Sequence, residues 1–158
     1  MKTYIGIDPG VSGAIAILSD SGVTFHDMPT LEVKKKQTLD YAGLAAILRP
    51  FAGGGAFAAV ELVGAMPGQG VSSMFKFGQT YGAVLGTLAS LEIPYELIAP
   101  PVWKRAYRLV GCEKDESRAA ALRLFSQCAA DLKLKKHHGR ADALLMAEYL
   151  RRQEARSA

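Results

Sequence analysis

Ile5-Gly6-Ile7-Asp8-Pro9-Gly10 is an apolar run that ends on a single carboxylate and turns at once. Pro9 fixes φ and Gly10 permits φ > 0, so the backbone turns away where Asp8 projects. The chain resumes as Gly13-Ala14-Ile15-Ala16-Ile17-Leu18 and, after Asp20-Ser21-Gly22, as Val23-Thr24-Phe25-His26. Tight turns between short apolar runs predict a three-stranded antiparallel meander with Asp8 at its rim.

Two further acids stand where they can join Asp8. Ala56-Phe57-Ala58-Ala59-Val60-Glu61 is a strand with its only charge at the last position, and Glu favours neither strands nor turns. In His137-His138-Gly139-Arg140-Ala141-Asp142-Ala143-Leu144-Leu145-Met146-Ala147 a polar start becomes an apolar helical face, which puts Asp142 in the first turn of a terminal helix. Taken singly, Asp8 also reads as a turn residue and Asp142 as a partner of the helix dipole. Taken together, three carboxylates in one pocket repel unless a cation joins them. Hard oxygen donors suit Mg²⁺, and a pair of ions about 4 Å apart is a standard device for cleaving phosphodiesters.

The order of elements extends this picture. A helix is predicted from Thr38 to Phe51, a second and longest from Ser72 to Glu92, a fifth strand over Pro94-Tyr95-Glu96-Leu97-Ile98, and an amphipathic helix from Ser117 to Ala130. Gly53-Gly54-Gly55 links the first helix to the fourth strand. The expected architecture is α/β, a mixed five-stranded sheet with helices on both faces.

The succession of Ile-Gly-Ile-Asp-Pro-Gly, Val60-Glu61, Pro101-Val102-Trp103-Lys104 and Arg140-Ala141-Asp142-Ala143-Leu144-Leu145 resembles the RuvC-type Holliday-junction resolvases, particularly their phage and prophage members. The resemblance runs in order along essentially the whole chain. It implies an RNase H-like fold, a homodimer, and cleavage of four-way DNA junctions with Mg²⁺ or Mn²⁺, two ions per site, held by four side chains. By position, Asp8, Glu61 and Asp142 match three of the ligands. The family usually has another Asp three or four residues before the last; here those positions hold Gly139 and His138, which leaves His138 as the candidate. An imidazole softens the site and favours Mn²⁺ over Mg²⁺. Lys104 is similar to a family lysine beside the cleaved phosphate and Lys114 to a second one. The implied products carry 5′-phosphate and 3′-hydroxyl ends.

Composition agrees with that implication. The 158 residues are 49% hydrophobic and 22% charged, with a formal net charge of +4, enough for one core and one domain over 1–158. Lys104 and Arg105, Lys114, and Lys135, Lys136 and Arg140 near Asp142 suit phosphate contacts, whereas Lys34-Lys35-Lys36 reads as a solvated loop or a further contact. The two cysteines, Cys112 and Cys128, lack metal-binding spacing and read as reduced thiols. No apolar run long enough to span a bilayer occurs and the first strand starts at once, so the expectation is a cytoplasmic protein with no membrane partner.

Gly78, Gly82 and Gly86 recur every four residues in the long helix, for close packing either on its own sheet or on a second copy. The glycine-rich stretch from Leu62 to Ser73 reads as a flexible lip, with Met66, Phe75 and Phe77 as candidate wedges against unstacked bases. Two other classes compete. An Asp-Xaa-Gly turn also resembles the phosphate loop of actin-like and sugar-kinase ATPases, which need two lobes where this chain holds one, so no nucleotide cofactor is expected. A catalytically silent junction-binding protein is the other, motivated by His138 at a position more usually acidic.

Overall fold

Alternate residues of β1 (Thr3–Asp8) face opposite sides of the sheet, and that period of two decides where everything else packs. A computed structural model describes residues 2–157. Its central sheet has five strands in the order β3-β2-β1-β6-β7, with β2 at Ala14–Ser19, β3 at Gly22–Asp27, β6 at Ala56–Glu61 and β7 at Tyr95–Ile98. β1, β2 and β3 are antiparallel, while β1–β6 and β6–β7 are parallel. The predicted mixed sheet is therefore present.

Ile5 and Ile7 of β1, Ile15 and Ile17 of β2, and Ala58 and Val60 of β6 face one layer. There they meet Leu44 and Leu48 of α1 (Tyr41–Leu48) and Val84 and Leu88 of α2 (Val71–Ser90). Tyr4, Ala16, Leu18 and Ala59 face the other layer, against Trp103 of α3 (Pro100–Ala106), Ala120 and Ala121 of α4 (Lys114–Leu124), and Leu144, Leu145 and Ala147 of α5 (His138–Ser157). A fully buried Leu or Ile contributes roughly 1.5–3 kcal/mol, so the two clusters fix which face each helix covers.

Gly6 sets how closely α5 lies on β1. A Cβ there would overlap the Ala143 carbonyl and crowd the Ala147 amide, so only glycine allows this crossing. That crossing also holds the first turn of α5 over the end of β1.

Four expectations are corrected. β4 (Thr30–Val33) and β5 (Lys36–Leu39) form a separate two-stranded hairpin, so Thr38 and Leu39 are extended and α1 starts only after Asp40, whose Oδ1 accepts from the Gly43 amide at 3.0 Å. The helix read from Ser117 to Ala130 instead runs from Lys114 to Leu124 and ends where Phe125 leaves the helical region at φ −133°, followed by a 3₁₀ turn over Ser126–Cys128. Gly10 is not among the residues at positive φ; the turn closes through the Gly13 amide on the Gly10 carbonyl at 2.9 Å. A Cβ added at Gly78, Gly82 or Gly86 would meet nothing within 4 Å, so these glycines do not serve packing on their own sheet.

Candidate active site at the rim of the sheet

Asp8 ends β1 and Glu61 ends β6, and the parallel register that pairs Ile7 with Val60 sets the two carboxylates side by side. Both follow the residues that face α5: Tyr4 and Gly6 precede Asp8 by the strand period, and Ala59 precedes Glu61. α5 begins at His138, so Asp142 falls just past its first turn rather than within it, one helical turn from His138 on the same face. A Cβ on Gly139 would lie 3.3 Å from Asp8 Oδ2, which shows how near this turn comes to the first carboxylate. Asp8, Glu61, His138 and Asp142 line one cavity of about 230 Å³, together with Lys104, Lys114 and Ser117.

The cluster is electrostatically strained as it stands. Burial, then the charge of Asp142, pushes Asp8 up to about 6, against the Gly10 amide, His138 and Lys114. Burial likewise raises Asp142 to about 6, with Glu61 adding to it and Ser117, Lys104 and Lys114 opposing. Glu61 is raised by burial and by Asp8. Asp142 Oδ1 is buried with no hydrogen-bond partner. An orphaned carboxylate oxygen among mutually repelling acids fits a hard divalent cation. As the side chains are placed, no group of three or more His, Cys, Asp or Glu among the described residues is close enough to share an ion, so ligation needs their rotamers to close inward.

Four contributors were not legible in the sequence. Trp103 is fully buried and its Nε1 donates to Glu61 Oε2 at 3.0 Å. Ser117 is buried against the cavity and favours ionised Asp142. Cys112, a free thiol, and Glu113 stand at its edge. Only the adjacency of Trp103 to Lys104 hinted at the first, since both follow the helix start at Pro100.

The basic residues divide. Lys104 lies over the Trp103 ring at 5.5 Å and, with Lys114, reaches the carboxylate cavity. Arg105 is exposed on α3, and Lys135 and Lys136 are exposed in the 3₁₀ turn that leads into α5. Arg140 departs from its expected place on DNA: its guanidinium grips Asp27 in a bidentate pair at 2.7 and 2.8 Å and donates to the Asp131 carbonyl at 3.0 Å. It ties α5 to the end of β3, which places the first turn of α5. Among the candidate wedges, Met66 and Phe75 are 65% and 68% exposed, whereas Phe77 is half-buried beside Gly10.

The sheet order with helices on both faces is a mixed five-stranded α/β fold that solved structures share. The chain is similar in structure to Thermus thermophilus RuvC in complex with a Holliday junction substrate, with a TM-score of 0.56, 21% identity, and 93% of this chain and 90% of that one covered. A second structure of Thermus thermophilus RuvC gives a TM-score of 0.54 and 19% identity, covering 92% and 90%. No protein-family profile and no curated protein sequence matches the chain.

Proposed function

We propose that this protein is a divalent-metal-dependent endonuclease that resolves four-way or other branched DNA junctions by paired hydrolytic nicks. The observation that carries the reading is the convergence of Asp8, Glu61, His138 and Asp142 with Lys104 and Lys114 in one cavity on a RuvC-like fold. Asp8, Glu61, Asp142 and His138 would hold Mg²⁺ or Mn²⁺. Once bound, such ions supply a lowered pKa for an attacking water and charge stabilisation at the leaving oxygen.

The chain's own residues do the rest. Trp103 holds Glu61 by its indole N–H, and Ser117 favours ionised Asp142. Lys104 and Lys114 offset the charge that grows on the phosphorus oxygens in the transition state and align the phosphate for in-line attack. The products are 5′-phosphate and 3′-hydroxyl ends. Lys135, Lys136 and Arg105, all exposed, hold flanking phosphates.

A homodimer completes the reading, because a four-way junction has approximate two-fold symmetry and must be cut on two strands. The open strip of Gly78, Gly82 and Gly86 on α2 is the surface we assign to the second copy.

A synthetic four-way junction incubated with Mn²⁺ tests the proposal. Wild-type protein should cut symmetrically on two strands, and Asp8→Asn should bind the junction without cutting it. A retarded complex with no nicked strand in any divalent metal would leave a silent junction-binding protein, the alternative that His138 at a usually acidic position supports. Absence of binding to branched DNA would overturn both.

A further inference from the structure

The β4–β5 hairpin stands apart from the five-stranded sheet, and only its base is anchored in the core, through Leu39. Residues Leu31 to Gln37 are all exposed, Leu31 and Val33 by half or more. Beyond that anchor the two strands have no sheet or helix covering them among the described residues, so the tip is presented to solvent. At that tip Lys34 and Lys35 have φ values of 49° and 59°, the left-handed pair of a two-residue type I′ turn. Asn-Gly is the favoured occupant of such a turn, and here two lysines hold it in a conformation that side chains resist. Lys36 follows directly in β5. None of the three lysines is in an ion pair among the described residues.

The base of the hairpin is built into the catalytic rim. Asp8 pairs across the sheet with Ala14, and Ala14 with Asp27, so β3 ends on the same line as the first carboxylate. The Met28 amide then donates to the Gly13 carbonyl at 3.0 Å, and the Asp40 amide to the Pro29 carbonyl at 2.9 Å, which closes the base. Gln37, Thr38 and Tyr41 share a cavity wall with Val11, in the turn after Asp8, and with Lys76 of α2. The carboxylates therefore have Lys104 and Lys114 on one side and a basic hairpin rooted on the other. Four residues of strand reach about 13 Å, or roughly four base-pair steps of a duplex.

We propose that the β4–β5 hairpin is a clasp for a duplex DNA arm, its three lysines holding backbone phosphates of the arm beyond the phosphate at the carboxylate cavity. This rests on the reading above and adds the surface that positions the arm. It contacts phosphates only and carries no base specificity.

The test is Lys34→Asn combined with Lys35→Gly and Lys36→Gln, which keeps and eases the turn while removing three charges. Equilibrium binding to a four-way junction is measured against salt in EDTA. The clasp predicts that the slope of log K against log salt falls by about 2 to 3, with a roughly 10- to 100-fold loss of affinity near 0.1 M salt. Neutral methylphosphonates scanned along the arm should, at some position away from the cut, weaken the wild type and leave the variant unaffected. A variant that binds with wild-type slope and affinity overturns the clasp alone, as does a loss of affinity at unchanged slope. A variant that instead changes the oligomeric state by light scattering reassigns the hairpin to a protein contact and overturns the clasp. If the wild-type chain binds no branched DNA, clasp and nuclease fall together.

Discussion

The indole Nε1 of Trp103 donates to Glu61 Oε2 at 3.0 Å, linking the first helix after β7 to the carboxylate that ends β6 across 42 positions of sequence. This bond leaves the other Glu61 oxygen for the cavity. Trp103→Phe should therefore weaken Mn²⁺ binding several-fold, measured by calorimetry, while junction affinity in EDTA stays unchanged. It should also cost about 1–3 kcal/mol in chemical denaturation, from the lost hydrogen bond and a small void. Because Trp103 is the only tryptophan in the chain, quenching of its emission by Mn²⁺ should report site occupancy directly, and that quenching should be lost in Asp8→Asn.

Asp8 and Asp142, both raised to about 6, make stability depend on pH in a direction fixed by the sign of the shift. A carboxyl whose folded pKa is raised contributes stability below its unfolded pKa near 4 and loses it as pH climbs through 6. Metal-free protein should thus lose stability between pH 4 and 7, by at most about 3 kcal/mol for each group. Thermal melts should show Asp8→Asn more stable than wild type at pH 7 without divalent metal. Added Mg²⁺ or Mn²⁺ should raise the wild-type melting temperature more at pH 7 than at pH 5.

Gly6→Ala should be severely destabilising, since its Cβ would overlap the Ala143 carbonyl. Both partners are backbone in regular elements, so neither can yield cheaply. A loss above about 3 kcal/mol, or failure to fold, is expected from urea titration. Ala added at Gly82, where a Cβ meets nothing within the chain, should leave monomer stability unchanged or slightly improved and impair self-association.

Arg140 and Lys104 should separate cleanly. Arg140→Ala should lower stability by about 1 kcal/mol through loss of the partly exposed Asp27 pair, with the salt slope of DNA binding unchanged. Lys104→Ala should leave the fold intact and reduce cleavage at saturating junction by about 10²–10³-fold.

His138 makes the metal preference testable. Cleavage in Mn²⁺ should exceed that in Mg²⁺ at equal free concentration, and His138→Asp should shift the balance toward Mg²⁺.

Strand periodicity and turn chemistry made much of this protein legible in its sequence. Ile5 to Gly10 and Ala56 to Glu61 announced two strands that each deliver one acid, and five strands of a mixed sheet followed from the spacing of apolar runs. The β4–β5 hairpin was hidden because its turn is Lys34-Lys35 rather than Asn-Gly, and its exposed strands lack alternation. The end of α4 at Phe125 was hidden because its amphipathic pattern runs on past the break.

By itself the sequence determined which residues carry charge at strand ends and which faces are apolar, since both are set by local rules of period two and 3.6. Only the tertiary structure decided that Gly6 lets α5 cross β1 closely enough to bring Asp142 and His138 to Asp8, that Trp103 holds Glu61, and that Arg140 serves the fold. Those are contacts between residues tens to over a hundred positions apart, and they depend on how two packed layers meet, which no local pattern encodes.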